Sequence, residues 1–169
     1  EKKKSKPIAN NDIEDIINVL IESLKYRLRA DVPLSLFLSS GIDSTLVAAL
    51  ATQELKKDIN AFTVSFSNSA KDETVNAKRI AKYLKLNHEI VSCENATSPE
   101  DKNLLFEIYG EVNDNLTALA AYRMSLLASN KYKVALTGIG ADEIFYGYGK
   151  YHYLQCKELL FQQLLQLLA

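Results

Sequence analysis

The sequence predicts an α/β fold built on a parallel, doubly wound sheet, and three observations lead there. Short apolar runs of strand length alternate with stretches of helical periodicity along most of the chain. Two of the strand-like runs, 34–38 and 134–137, end abruptly in loops of small residues, Ser39 to Ser44 and Gly138 to Glu143. Each loop carries an aspartate and opens a helix, and in such sheets ligands bind beyond the carboxyl ends of the strands.

The elements follow in order. Lys2 to Asn10, with its lysines, Ser5 and Pro7, reads as a solvated lead-in, so residues 1–11 are expected to form a linker or arm and 12–169 a single domain. Asn10, Asn11 and Asp12 suit a helix start. Ile13, Ile16, Ile17, Leu20, Ile21 and Leu24 recur at helical spacing. Arg27 to Asp31 closes that helix, and Val32-Pro33 leads into strand 34–38. The loop 39–44 is followed by helix 44–56, then a second strand from Ala61 to Phe66. Ser67 to Lys71 is a polar loop. Glu73 to Leu84 is a helix with Val75, Ala77, Ile80, Ala81 and Leu84 on its apolar side. His88 to Ser92 is a third strand, and Glu94 to Asp101 a loop. Leu104–Tyr109 and Leu119–Ala128 are helical, and Val134 to Thr137 is a fourth, buried strand. The crossovers are expected to be right-handed.

The chain ends in a leucine-rich helix with no charge after Glu158. That composition predicts packing on the first helix or, more in keeping with so apolar a surface, a partner lying beyond residue 169. The domain is therefore expected to be truncated on its C-terminal side.

Composition excludes several classes. The chain has 169 residues, enough for one domain with a true core, and its 47% hydrophobic and 24% charged residues are ordinary for a soluble protein. A formal net charge of −1 argues against a broad nucleic-acid surface. No apolar run approaches the roughly 18 residues that cross a bilayer. Glu1 to Lys6 leads into no hydrophobic segment of a secretion signal. Cys93 and Cys156 are far apart and near no cluster of histidines, which predicts buried free thiols, a cytoplasmic setting and no structural zinc.

Residues 36–44, Leu-Phe-Leu-Ser-Ser-Gly-Ile-Asp-Ser, carry the chemistry. A tight loop running into a helix N-terminus offers backbone N–H groups and a favourable dipole to a phosphate. Ser39, Ser40 and Ser44 add hydroxyl donors. Asp43 would repel a phosphate directly, so its natural role there is to hold Mg²⁺, which prefers one or two carboxylates together with phosphate oxygens. A nucleoside triphosphate follows as the expected ligand, although neither GxxxxGK[ST] nor GxGxxG is present. The structural alternative is an ordinary strand–Ser–Gly–helix junction in which Ser44 is only an N-cap. The second loop sharpens the choice, because Asp43 and Asp142 at two strand ends would make a magnesium clamp. The bland reading there makes Gly138 and Gly140 turn residues and Asp142 a cap.

The two loops together resemble a family. LSSGIDS is similar to the SGGxDS pyrophosphate loop of the ATP-pyrophosphatases. Arg29 to Pro33, Ala61 to Val64, Asp72-Glu73 with Ala77, Ile80 and Ala81, the Asn87-His88-Glu89 step, and LTGIGADEIFYG at 136–147 resemble the synthetase domain of glutamine-hydrolysing asparagine synthetases. The resemblance runs from about residue 12 to 153, and β-lactam synthetases and lasso-peptide cyclases share the domain. It implies an adenine-nucleotide α-hydrolase fold, Rossmann-like in its sheet, and a ligase that uses ATP and Mg²⁺. A carboxylate such as aspartate would be activated as an acyl-adenylate with release of pyrophosphate, and ammonia would then displace AMP to give asparagine.

By the same resemblance, Ser39, Ser40, Gly41, Asp43 and Ser44 contact the phosphates, with Gly138 and Gly140 completing the nucleotide site. Asp43 and Asp142 bind the metal. Val64 meets adenine through its backbone and Leu38 lines the same pocket. Glu111 stands where the family carries an acidic catalytic residue, and Glu143 completes an Asp-Glu pair whose other reading is charge at a helix N-terminus. The implied partners are small molecules, aspartate and ammonia, the latter from a glutaminase domain absent from this chain; neither nucleic acid nor membrane is implied, and a homodimer is left open.

Departures from the pattern are Ser40 for a glycine, Ile139 for a residue that is often acidic, Val112 for a proline and Asn115 for an aspartate. Ser40 carries a Cβ that a left-handed backbone would not tolerate. Two other readings stay open: a tRNA thiolase of the same loop class, which the charge and the distant cysteines disfavour, and a non-catalytic scaffold that kept the fold.

Overall fold

A computed structural model describes residues 10–66, 72–93, 98–111, 116–151 and 153. The proposed arm before residue 10, the loop 67–71, part of the loop 94–101, Val112 and Asn115, Cys156 and the C-terminal leucine helix lie outside the described residues. The chain divides into two units, Glu1–Thr137 and Gly138–Ala169.

The first unit contains α1 (Asn10–Arg27), β1 (Leu34–Phe37), α2 (Ile42–Ala49), β2 (Asn60–Ser65), α3 (Thr74–Leu84), β3 (Asn87–Ser92), α4 (Pro99–Tyr109), α5 (Leu116–Ser129) and β4 (Val134–Leu136). All four strands are parallel, in the order β3-β2-β1-β4. The chain steps outward from β1 to β2 to β3, then crosses to the far side of β1 for β4. The carboxyl ends of β1 and β4 therefore form the point where the winding reverses, which is where open α/β sheets bind ligands.

Both faces of the sheet are covered. Leu36, Ile59 and Ala61 pack with Leu24 of α1, Leu28 just past its end, Ala48 of α2 and Ala81 and Leu84 of α3. On the opposite face Phe62 and Val91 meet Ala128 and Met124 of α5, and Phe62 lies edge-on to Tyr132 at 5.8 Å between ring centroids. Ala61 and Phe62 are successive residues of β2 and so point to opposite faces.

Several boundaries differ from the sequence reading, each for a visible reason. α2 begins at Ile42 with Gly41 as N-cap, so Ser44 lies within the first turn and is not the cap. The helix runs on through a π-helical segment, Leu50–Glu54, in which Leu55 N–H bonds Leu50 C=O at 3.0 Å. α4 starts five residues before Leu104. Ser98 Oγ accepts from Asp101 N–H at 3.2 Å, with Pro99 in the first turn, a helix start the sequence spells out. Val75 is 62% exposed, because the buried stripe of α3 runs through Thr74, Ala77, Ala81 and Leu84. Ile13 and Ile16 are likewise exposed, while Ile17, Leu20, Ile21 and Leu24 meet the core.

A partly buried ion pair joins α4 to α5, Arg123 Nη2 lying 2.7 Å from Asp101 Oδ1. Burial is the largest single influence on the Asp101 carboxyl and pushes it upward. Hydrogen bonds from Arg123 and Ser98, with the guanidinium charge, outweigh it and hold the carboxyl below its ordinary range. Cys93 is a buried free thiol, pushed up mainly by burial. No described helix is long and apolar enough to cross a membrane.

Phe62 is 1% exposed and anchors the second face of the sheet. Phe62→Ala should lower unfolding free energy in urea by about 3–5 kcal/mol with an unchanged denaturant slope, the range for a buried aromatic cut to alanine.

Candidate functional site

The carboxyl end of β1 has a backbone problem. The chain leaves a central strand and turns at once into α2, so its polar groups there need partners other than a ladder. The structure supplies them for Leu38 and for the N–H groups of Ser39, Ser40 and Gly41. Leu38 N–H donates to Phe62 C=O at 2.8 Å. Leu38 C=O accepts Thr63 Oγ1 at 2.6 Å, and Thr63 Oγ1 lies 2.7 Å from His88 Nε2. Because the hydroxyl proton goes to the carbonyl, His88 donates through Nε2. A line of hydrogen bonds thus runs from β3 through β2 to the base of the loop. Burial lowers the pKa of His88, with Lys78 acting in the same direction, which keeps the ring neutral near pH 7.

In the loop itself, Ser39 N–H donates to Ser44 Oγ at 3.1 Å and Gly41 N–H to Ser39 Oγ at 3.1 Å. The two hydroxyl oxygens are 2.8 Å apart. Ser40 N–H donates to Glu73 Oε2 at 2.9 Å. Three successive N–H groups therefore meet oxygen atoms, the arrangement that binds anions at strand–helix turns. The helix starts with Gly41 in extended backbone, and a Cβ there would come 3.1 Å from Ser39 Oγ. Among the described residues only Lys56, Lys85 and Tyr146 are non-glycine residues with positive φ. Ser40 is thus free of left-handed strain, and its Cβ costs no backbone distortion.

Asp43 lies in the first turn of α2, half-buried. No described residue of its unit hydrogen-bonds or pairs with its carboxylate. A carboxylate next in sequence to Ser44, which no described residue of its unit engages, is a hard oxygen donor of the kind that fits Mg²⁺ sharing its shell with phosphate oxygens and water. Among the described residues no group of three or more His, Cys, Asp or Glu is assembled, so the protein alone would supply only part of such a shell.

Of the remaining expected residues, Leu38 is buried in the first core, with both backbone groups bonded as above. Val64 pairs with Val91 of β3, two residues past Phe62, the last β2 partner of β1. β2 thus extends beyond β1 at the carboxyl edge. Glu111 is exposed, one residue past Gly110, the left-handed C-cap of α4.

The second unit holds the other loop. Its helix, α6 (Ala141–Phe145), has Gly140 as N-cap at φ 99°, a conformation that favours glycine, so Asp142 is in the first turn and is not the cap. Gly138 C=O accepts from Ala141 N–H at 3.4 Å, and Ile139 is 90% exposed. Gly147 returns against Asp142: its N–H donates to Asp142 C=O at 3.0 Å, and a Cβ on it would come 1.9 Å from Asp142 Oδ1. Any side chain at 147 would force the Asp142 carboxylate to move. Glu143 accepts from Tyr148 Oη at 2.5 Å, which holds the carboxyl below its ordinary range and pushes the phenol up to about 12. Sequence reasoning assigned no role to Gly147, Thr63 or Glu73, although all three lie in stretches it had marked.

This parallel α/β fold recurs in solved structures. A glutamine-dependent NAD⁺ synthetase from Acinetobacter baumannii, solved with ADP, superposes with a TM-score of 0.61 at 20% identity, covering 86% of this chain and 29% of that one. An NH3-dependent NAD synthetase from Campylobacter jejuni gives 0.54 at 21% identity over 80% of this chain and 60% of that one. Residues 15–168 match the asparagine synthase family, and the chain belongs to it. It is 32% identical over 153 residues to asparagine synthetase [glutamine-hydrolyzing] 1 of Bacillus subtilis, covering 86% of this chain and 23% of that protein. It is 31% identical to a putative asparagine synthetase of Methanocaldococcus jannaschii, covering 85% of this chain and 28% of that protein. The chain thus spans about a quarter of the length of these relatives.

Thr63→Val keeps the shape of the side chain but leaves Leu38 C=O and His88 Nε2 without their shared partner. Urea unfolding should show a loss of about 1–3 kcal/mol, the cost of stranding buried polar groups, and the His88 pKa should shift in NMR titration. An unchanged stability would remove Thr63 from the support of the loop.

Proposed function

We propose that residues 12–169 form part of an ATP-dependent synthetase domain that activates a carboxylate for amidation, with the residues before α1 as its arm. The observation that carries this reading is the loop 39–44, three of whose successive N–H groups each donate to a side-chain oxygen at the switch point of a parallel sheet in a chain of the asparagine synthase family.

In this reading Ser39, Ser40, Gly41 and Ser44 hold the β- and γ-phosphates through backbone N–H and hydroxyl donors, and the N-terminus of α2 adds its dipole. Gly138 and Gly140 complete the nucleotide site. Val64 offers its backbone to adenine where β2 runs past β1, and Leu38 forms the floor. Asp43 and Asp142 are the proposed metal carboxylates, with Gly147 keeping Asp142 in place. Mg²⁺, when bound, would neutralise the charge on the departing pyrophosphate. Glu111 is proposed on the acid-substrate side. Aspartate is the proposed acid and an acyl-adenylate the proposed intermediate. Ammonia released from glutamine is the proposed nitrogen donor, since the relatives' names specify glutamine hydrolysis. A cytoplasmic setting belongs to the same reading and agrees with a free, buried Cys93.

Ile139, strongly exposed where the family often has an acid, favours a second reading, a nucleotide-binding protein that no longer catalyses. Pyrophosphate–ATP exchange separates the two. Exchange that depends on aspartate and Mg²⁺ supports the synthetase, and exchange with another acid alone changes the substrate. Folded protein with no exchange but intact MgATP binding supports the second reading. Asp43→Asn should reduce exchange by at least about a hundredfold, as for loss of a group that stabilises charge in the transition state. Full exchange in that variant would exclude Asp43 as the metal ligand.

A further inference from the structure

Glu73 stands at the start of α3, where its C=O accepts Ala77 N–H at 2.9 Å but its side chain makes no bond to the helix. It is the N-cap residue, but its side chain makes no capping bond. Asp72 does the capping: Thr74 N–H donates to Asp72 Oδ1 at 3.0 Å, and the Thr74 hydroxyl bonds the same oxygen. These bonds, the hydroxyl's first, hold the Asp72 carboxyl below its ordinary range. Two adjacent acids thus divide their tasks. Asp72 serves the helix, and Glu73 reaches 33 residues back along the chain to take Ser40 N–H at 2.9 Å.

That donor is the middle one of the three in the loop. A single N–H has one proton, so an incoming phosphate oxygen and Glu73 Oε2 compete for it. The competitor also carries a negative charge, which repels a phosphate close by. An exposed carboxylate can swing aside at little cost, because an exposed charged contact holds it only weakly. Resting on the pyrophosphate reading above, we propose that Glu73 is a built-in anionic competitor of the loop. It keeps Ser40 N–H oriented, gives it up to the phosphates, and takes it back as pyrophosphate leaves, so that the loop holds its product less tightly than its donors alone would.

Calorimetric titration of the full chain with pyrophosphate and Mg²⁺ tests this, comparing the unaltered protein with Glu73→Gln, Glu73→Ala and Asp43→Asn. Glutamine keeps the length and an acceptor oxygen but not the charge. Glu73→Gln should bind roughly two- to fivefold tighter, the size expected from relieving one exposed like charge, and Glu73→Ala should follow. Thermal unfolding of each variant checks that the fold is kept. Equal or weaker binding by a folded Glu73→Gln overturns the proposal while leaving the pyrophosphate site intact, and makes Glu73 a loop support or a metal ligand. Binding confined to the Glu73 variants supports it. No binding by any of the folded proteins overturns both the site and its competitor.

Discussion

The constraint on which the site depends is the need to satisfy backbone polar groups where β1 leaves the sheet. β1 is an inner strand, paired on both sides by parallel neighbours. Its continuation cannot open into water without abandoning those neighbours, and cannot stay buried with unpaired N–H and C=O groups. Thr63, Ser44, Ser39 and Glu73 resolve this by taking Leu38 C=O and the N–H groups of Ser39, Gly41 and Ser40 in turn. The same solution leaves three donors oriented at a helix start. In the proposed function an anion would take the place of those side-chain oxygens on the same three donors.

The His88–Thr63–Leu38 line gives this arrangement its stiffness. It spans three strands, and each hydrogen bond in it is at least partly buried. Burial holds the His88 pKa below its ordinary value, and its Nε2–H is the donor at the outer end of this line. The loop is thus tied to the sheet below by a polar strut rather than by apolar packing alone, which fixes position more narrowly than burial does.

Much of this was legible in the sequence. The strand–loop–helix order at 34–56 and 134–145 could be read from apolar runs interrupted by small residues, because strand ends in parallel sheets are punctuated that way. The alternation of elements specified a parallel sheet, and both faces are indeed covered. What could not be read were contacts between residues far apart in sequence. Nothing in Asp72-Glu73 says which acid caps the helix and which reaches Ser40, because either spacing suits a cap. Val75 was misplaced because one extra apolar residue beside a helical stripe looks like part of it. The start of α4 was legible in Ser98-Pro99-Glu100-Asp101 and was obscured by the polar residues before it. Ser40 raised a concern about backbone strain that only its φ could answer.

The claim that carries the whole account is that the N–H groups of Ser39, Ser40 and Gly41 bind pyrophosphate together. Amide NMR shifts of the ¹⁵N-labelled chain during titration with pyrophosphate and Mg²⁺ read this directly. The account predicts that these three resonances move in concert and saturate at one ligand per chain, with Thr63 and His88 shifting less. Saturable shifts confined to other parts of the fold, with Ser39 to Gly41 unmoved, would contradict it.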